Sequence, residues 1–308
     1  MDKEFFKRII TELNETNKSK NIYQKKGWEW LLSLYKESIV KANPNNDYNL
    51  SDFNGWQKVV INEKIHAIFH LNKNNENKWI ISCHGYSASK EIGAFDAWCF
   101  NELGYNIIAF DFLNHGESAK DIVSFGKKEF DALIQVIDYV NKTFNPNHIG
   151  LIGFSMGAHT VNIYGLNPNV NKKNDNVKFI ISDGTYYRIE EILLRILKIK
   201  YEVSEEVLKH ATKELIEYYK TEYNIDLLTY NLSDLMSTNS ELIPTLFFHT
   251  KLDKITNYKD SQIIYDLRQA ISKNDEIKIF AEGEHLEAQN KYFQEYKYIF
   301  TEFISKIK

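Results

Sequence analysis

The chain has 308 residues, 43% of them hydrophobic, which suits one large α/β domain with an insertion or two domains at most. Its formal net charge is −4 and its Lys and Arg residues are spread along the chain, so the linear sequence lacks the basic stripe of a nucleic-acid binder. The amino terminus lacks the apolar run of a secretory signal and no stretch approaches a membrane span; with Cys83 and Cys99 in a predicted strand and core helix, this predicts reduced thiols in a cytoplasmic protein.

Residues 2–16 place Phe5, Phe6, Ile9, Ile10 and Leu13 on one helical face. Trp28, Leu31, Leu32 and Tyr35 repeat that spacing, and 41–54 is an Asn-, Asp- and Pro-bearing loop. Residues 1–55 therefore read as an N-terminal helical extension whose apolar stripes pack on the body. Two strands follow, at 56–63 and 65–72, then a polar turn. Beyond it, strands predicted at 78–83, 105–111, 148–153, 177–182, 245–250 and 276–281 alternate with helices at 89–103, 126–143, 156–166, 258–272 and 287–307. Short apolar strands alternating with helices predict an α/β fold, a mostly parallel eight-stranded sheet flanked by helices, with the first hairpin as its antiparallel part.

One segment breaks the alternation. Between the predicted strands at 177–182 and 245–250, residues 186–243 show helical periodicity. Ile189, Ile192, Leu193, Ile196 and Leu197 form one stripe, Ser204 is a candidate N-cap ahead of Glu205 and Glu206, and Val207, Leu208, Ala211 and Leu215 form the next stripe. The segment reads as a helical cap insertion over one end of a core made of 56–185 and 244–308.

The strongest chemical signal is Gly153-Phe154-Ser155-Met156-Gly157, between an apolar strand and a helix. A serine hydroxyl is a weak nucleophile unless it is exposed beside a base, and a sharp strand-to-helix turn provides the exposure. His84-Gly85-Tyr86 follows the strand at 78–83, where hydrolases of this type place one oxyanion donor; the residue after the nucleophile gives the other. The candidate donors are thus the backbone N–H groups of Tyr86 and Met156, with His84 orienting the loop. In the order serine, acid, histidine, Asp253 follows the strand at 245–250 and is the candidate acid; Asp183, also just past a strand end, is its rival. His285 is the only histidine after Asp253, and is the candidate base. Glu282 and Glu284 read as loop charges, His249 as a structural strand residue and His159 as a packing residue.

These motifs resemble the α/β-hydrolase superfamily from about residue 56 onward, within it the serine-aminopeptidase-like and esterase-like branch. The carrying residues are His84-Gly85-Tyr86, Asp111-Phe112-Leu113-Asn114-His115-Gly116-Glu117-Ser118, Gly153 to Gly157, Asp253 and His285. The family's turn usually reads Asp-x-Arg-Gly-His-Gly-x-Ser; Leu113 and Asn114 stand here for its Arg and Gly, so the Arg's ion pair is missing. Thr250 stands for the Gly of the family's His-Gly-x-x-Asp acid loop. The resemblance implies a serine hydrolase that cleaves a carboxylic ester or thioester of a small-molecule acyl substrate through an acyl-enzyme, with no cofactor or metal. A prolyl-peptidase-like amidase is the alternative; such enzymes often carry a second Gly after the elbow, where this chain has Ala158. A binding module that has lost catalysis is a further alternative, although all triad candidates are present. Phe154, Leu193 and Leu197 are the candidate substrate-lining residues, with Tyr86 beside them.

Overall fold

The computed structural model describes residues 3–16, 26–44, 48–74, 77–167, 176–236 and 242–307. Eight strands pair into one sheet: β1 (Gln57–Ile61), β2 (Ile65–His70), β3 (Lys78–Cys83), β4 (Asn106–Phe110), β5 (His148–Phe154), β6 (Val177–Asp183), β7 (Thr245–Thr250) and β8 (Glu276–Phe280). Their order is β1-β2-β4-β3-β5-β6-β7-β8. β2 pairs antiparallel with both β1 and β4, and every pairing from β4 to β8 is parallel. The expected hairpin is the antiparallel part. Asn62 (φ 48°) and Glu63 (φ 59°) both take left-handed backbone in its turn, closed by the Lys64 N–H on the Ile61 carbonyl, and this twist matches that of the flanking strands.

The parallel strands are apolar on both faces because helices cover both. Trp79, Ile81 and Cys83 of β3 join one core cluster and Ile80 the other. The described helices are α1 (Lys3–Asn14), α2 (Trp28–Ala42), α3 (Lys90–Asp96), α4 (Lys127–Phe144), α5 (Met156–Leu166), α6 (Ile189–Lys200), α7 (Glu205–Tyr223), α8 (Leu232–Met236), α9 (Tyr258–Gln269), α10 (Ala288–Lys291) and α11 (Phe293–Ser305). The helix expected at 89–103 is α3 followed by a 3-10 turn at Trp98–Leu103, which Gly104 ends in left-handed backbone (φ 83°). The one expected at 287–307 is α10 and α11, separated by Tyr292.

The N-terminal stripes are buried on the body. Phe6, Ile9, Ile10 and Leu13 of α1 belong to the first cluster and Leu32 of α2 to the second, so the two helices serve different faces. α1 packs against α7, and α2 against α3. Between β6 and β7 the described residues form α6, α7, a 3-10 turn at Leu227–Tyr230, and α8. Ser204 caps α7 by accepting the Val207 N–H. Ile189, Ile192, Leu193 and Leu197 are buried, as are Leu208, Ala211 and Leu215, whereas Val207 is exposed. Residues 237–241 of the expected insertion and 45–47 of the expected loop lie outside the described residues. Among the described residues no helix is long and apolar enough to cross a membrane.

Candidate active site

The parallel pairing sends the carboxyl ends of β3, β5, β6, β7 and β8 to one edge of the sheet, where ligands bind in open α/β folds. Ser155 sits between β5 and α5, with φ 54° and ψ −112°. A non-glycine residue in left-handed backbone is strained, and the surroundings must hold it. Its N–H donates to the Asp183 carbonyl at 2.9 Å. The two elbow glycines answer to close backbone contacts. A Cβ on Gly153 would lie 2.2 Å from the Gly157 carbonyl oxygen, and one on Gly157 would lie 2.0 Å from that of Cys83. The expected motif thus packs α5 directly on the ends of β3 and β5. Ser155 is 8% exposed. Met156 opens α5, where helix N–H groups have no intrahelical acceptor.

The loop after β3 abuts this elbow: a Cβ on Gly85 would lie 3.4 Å from Cβ of Ser155. A turn closes it, with the Ala88 N–H on the Gly85 carbonyl and Ser87 in left-handed backbone (φ 60°). His84 orients the loop, as expected. Its Nε2 accepts the Phe112 N–H at 3.1 Å and its Nδ1 faces the Gly85 carbonyl at 2.7 Å. Burial pushes the His84 pKa down to about 4, keeping the ring neutral.

Sequence reasoning missed the loop's second anchor. Lys90, fully buried, places Nζ 2.8 Å from Asp111 Oδ2, 2.9 Å from Glu91 and 3.0 Å from Glu117. Its backbone N–H also donates to Asp111 Oδ1 at 2.7 Å, capping α3. Asp111 therefore draws its cation from α3, where Leu113 and Asn114 of its own turn supply none. Gly116 (φ 49°) is required there, since its Cβ would lie 2.1 Å from the Asp111 carboxyl carbon.

His285, past β8, and Asp253, past β7, meet: Nδ1 lies 2.7 Å from Oδ2. The same carboxylate accepts the Ile255 and Thr256 N–H groups at 2.8 and 2.9 Å and the Thr256 hydroxyl at 2.8 Å. His249 Nε2, from β7, lies 3.3 Å from the same Oδ2, so two histidines flank this carboxylate. Burial opposes ionisation of Asp253, but hydrogen bonds from His249 and His285 outweigh it and hold the carboxyl well below its usual range. Asp183 lies close enough to His249, His285 and Asp253 to feel their charges, but its side-chain hydrogen bond is made with Tyr296. Its Oδ2 accepts the Tyr296 hydroxyl at 3.1 Å, and burial pushes its pKa up to about 6. His285 also approaches the strand that supports the elbow: a Cβ on Gly184 would lie 3.5 Å from its Cε1.

The candidate lining residues are all buried. Phe154 is buried in the second core cluster, and Leu193 and Leu197 in the first. Leu197 also lines an apolar cavity of about 230 Å³ between α1, α6 and α7, with Phe5, Ile9 and Leu208. His159 ties α5 to the segment after β6, its two nitrogens facing the carbonyls of Tyr186 at 3.0 Å and Tyr230 at 3.1 Å. Cys83 and Cys99 are free and buried.

The model of the family described as the alpha/beta hydrolase fold matches residues 78–204. An uncharacterized protein of Bacillus subtilis, YqkD, is 24% identical over 281 residues, which is 88% of this chain and 87% of YqkD. The Pyrococcus furiosus esterase Pf2001 superposes with a TM-score of 0.63 at 19% identity, over 85% of this chain and 97% of that one. Est1E from Butyrivibrio proteoclasticus, solved with ferulic acid bound, superposes with a TM-score of 0.59 at 18% identity, over 81% of this chain and 100% of that one. At these identities the solved structures establish a shared architecture.

Proposed function

We propose that this chain, which has the α/β-hydrolase fold, is a serine hydrolase that cleaves a carboxylic ester or thioester through an acyl-enzyme. The observation that carries the reading is the Asp253–His285 hydrogen bond at 2.7 Å, on the sheet edge that also bears the strained Ser155. With Nδ1 engaged by Asp253, Nε2 is the ring's free basic position. It takes the Ser155 proton as Oγ attacks the substrate carbonyl. The N–H groups of Tyr86 and Met156 stabilise the oxyanion. The carbon–oxygen or carbon–sulfur bond to the leaving group then breaks, and His285 returns the proton to that group. Water, deprotonated by His285, attacks the acyl carbon, the bond to Ser155 Oγ breaks, and His285 returns that proton to Oγ as the free acid leaves.

Asp253 is assigned as the acid and Asp183 as a support of the elbow, since Asp253 alone of the two hydrogen-bonds His285 among the described residues. We assign 186–243 to a cap whose packing on α1 and α5 shapes access to the site, and the small acyl substrate enters beneath it. The test is a hydrolysis panel of short and long acyl esters, thioesters and aminoacyl amides. Turnover of esters or thioesters above the amides is expected; amide turnover alone contradicts the ester reading.

A further inference from the structure

Hydrogen bonds tie the last turn of α1 to loops at the active edge of the sheet. The Tyr86 hydroxyl donates to the Leu13 carbonyl at 2.7 Å. Asn114 Nδ2 donates to the Asn14 carbonyl at 2.8 Å, and the Val123 N–H donates to Asn14 Oδ1 at 2.7 Å. Carbonyls in a final helical turn have no intrahelical donor, so these loops satisfy them. On its other flank α1 receives the Tyr201 hydroxyl on Glu12 Oε2 at 2.5 Å, which fastens it to the segment after β6. Leu13 is fully buried. The Tyr86 ring packs against Phe125, with centroids 5.4 Å apart.

We propose that α1 is a positioning element of the acyl-transfer site, holding the Tyr86 side chain through Leu13 and thereby fixing the Tyr86 backbone N–H in the direction the oxyanion needs. The proposal rests on the serine-hydrolase reading above. The loop from His84 to Lys90 is anchored at each end, by His84 on the Phe112 N–H and by Lys90 on Asp111. Tyr86 lies between those anchors, in a turn whose Ser87 is in left-handed backbone. A peptide rotation there would swing the donor away from Ser155. A tyrosine has two side-chain torsions, so a ring packed along its length and bonded at its tip restrains that rotation. An oxyanion donor is effective because its direction is set before reaction, and a slack one pays reorganisation in each turnover.

Tyr86→Phe removes the hydroxyl and keeps the ring and the N–H, and Asn14→Ala loosens the end of α1. The experiment measures kcat and KM on a short ester, the rate of phosphonylation by a fluorophosphonate, and Tm, for wild type, both variants and the double variant. We expect kcat to fall about tenfold in Tyr86→Phe, less than deletion of an oxyanion donor costs. KM should stay within about twofold and phosphonylation should slow in parallel. The double variant should be no worse than Tyr86→Phe by more than about twofold, because both loosen the hold of one helix end on one donor. A folded Tyr86→Phe protein with wild-type kcat overturns the proposal, as does a lowered Tm with kcat unchanged well below it. Should Tyr86→Phe fail to fold, Asn14→Ala decides: a lower kcat at constant KM supports the brace and a wild-type kcat overturns it. A wild-type chain that neither turns over the ester nor takes up phosphonate overturns the serine-hydrolase reading, and the brace with it.

Discussion

Oδ2 of Asp253 lies 2.7 Å from Nδ1 of His285 and 3.3 Å from Nε2 of His249, so one carboxylate oxygen serves two histidines. Such an acid fixes the tautomer and orientation of its base, and an amide in its place presents the wrong partner. Asp253→Asn should lower kcat by roughly 10⁴, the cost of replacing the triad acid of a serine protease by its amide. Asp183→Asn keeps an acceptor for Tyr296 and should cost less than about tenfold. Steady-state kinetics on one ester ranks the pair, and the opposite ranking would move the acid to the end of β6.

Asp183 makes a separate prediction about pH. Burial raises its pKa from the ordinary 3.8 to about 6. The folded chain therefore holds this proton more tightly than the unfolded chain, so the associated stability is complete below about pH 4 and is lost as pH rises through about 6. Asp183→Asn has no proton to lose. Its stability relative to wild type should rise across that window, by on the order of 3 kcal/mol. Urea unfolding at pH 4 and pH 8 measures the change, and an equal offset at both values would contradict it.

Lys90 is fully buried among Asp111, Glu91 and Glu117. Lys90→Met removes this buried cation from Asp111 and Glu91, while Glu117 keeps Lys58, and should destabilise the fold by about 3–5 kcal/mol. Lys90→Arg, which keeps the charge, should cost less. Urea midpoints of the two variants give the comparison.

Gly157→Ala places a methyl group 2.0 Å from the Cys83 carbonyl oxygen, a backbone atom that has no rotamer to change. The helix must shift, at about 1–3 kcal/mol or more, and with it the Met156 donor. A lower unfolding midpoint together with slower fluorophosphonate labelling is expected. Unchanged values of both would show that the elbow tolerates the contact.

Much of this was legible in the sequence because it rests on short-range pattern. Apolar runs of strand length alternating with helical periodicity yield the eight strands, and the spacing of Gly153, Ser155 and Gly157 records backbone contacts that forbid a side chain. Chain order favours Asp253 over Asp183 as the acid, but both follow strands, and the sequence does not show that Asp253 hydrogen-bonds His285 while Asp183 bonds Tyr296. Lys90 was hidden because the cation for Asp111 comes from 21 residues upstream, outside the turn motif where an Arg is expected. His249 looked structural because a strand histidine gives no sign of which loop folds back on it. The contact between Tyr86 and Leu13 spans 73 residues and ends on a backbone carbonyl, which no residue type marks. Leu193 and Leu197 came from a helical stripe, and a stripe shows which face is buried without showing what it faces.

The account turns on an activated Ser155. Its most direct test is intact-mass and peptide-mapping analysis after treatment with a fluorophosphonate, for wild type and for Ser155→Ala. The account predicts one adduct per wild-type chain, mapped to Ser155, and neither adduct nor ester hydrolysis in a folded Ser155→Ala protein. An unmodified wild-type chain, or a Ser155→Ala protein that still hydrolyses the ester at the wild-type rate, would contradict it.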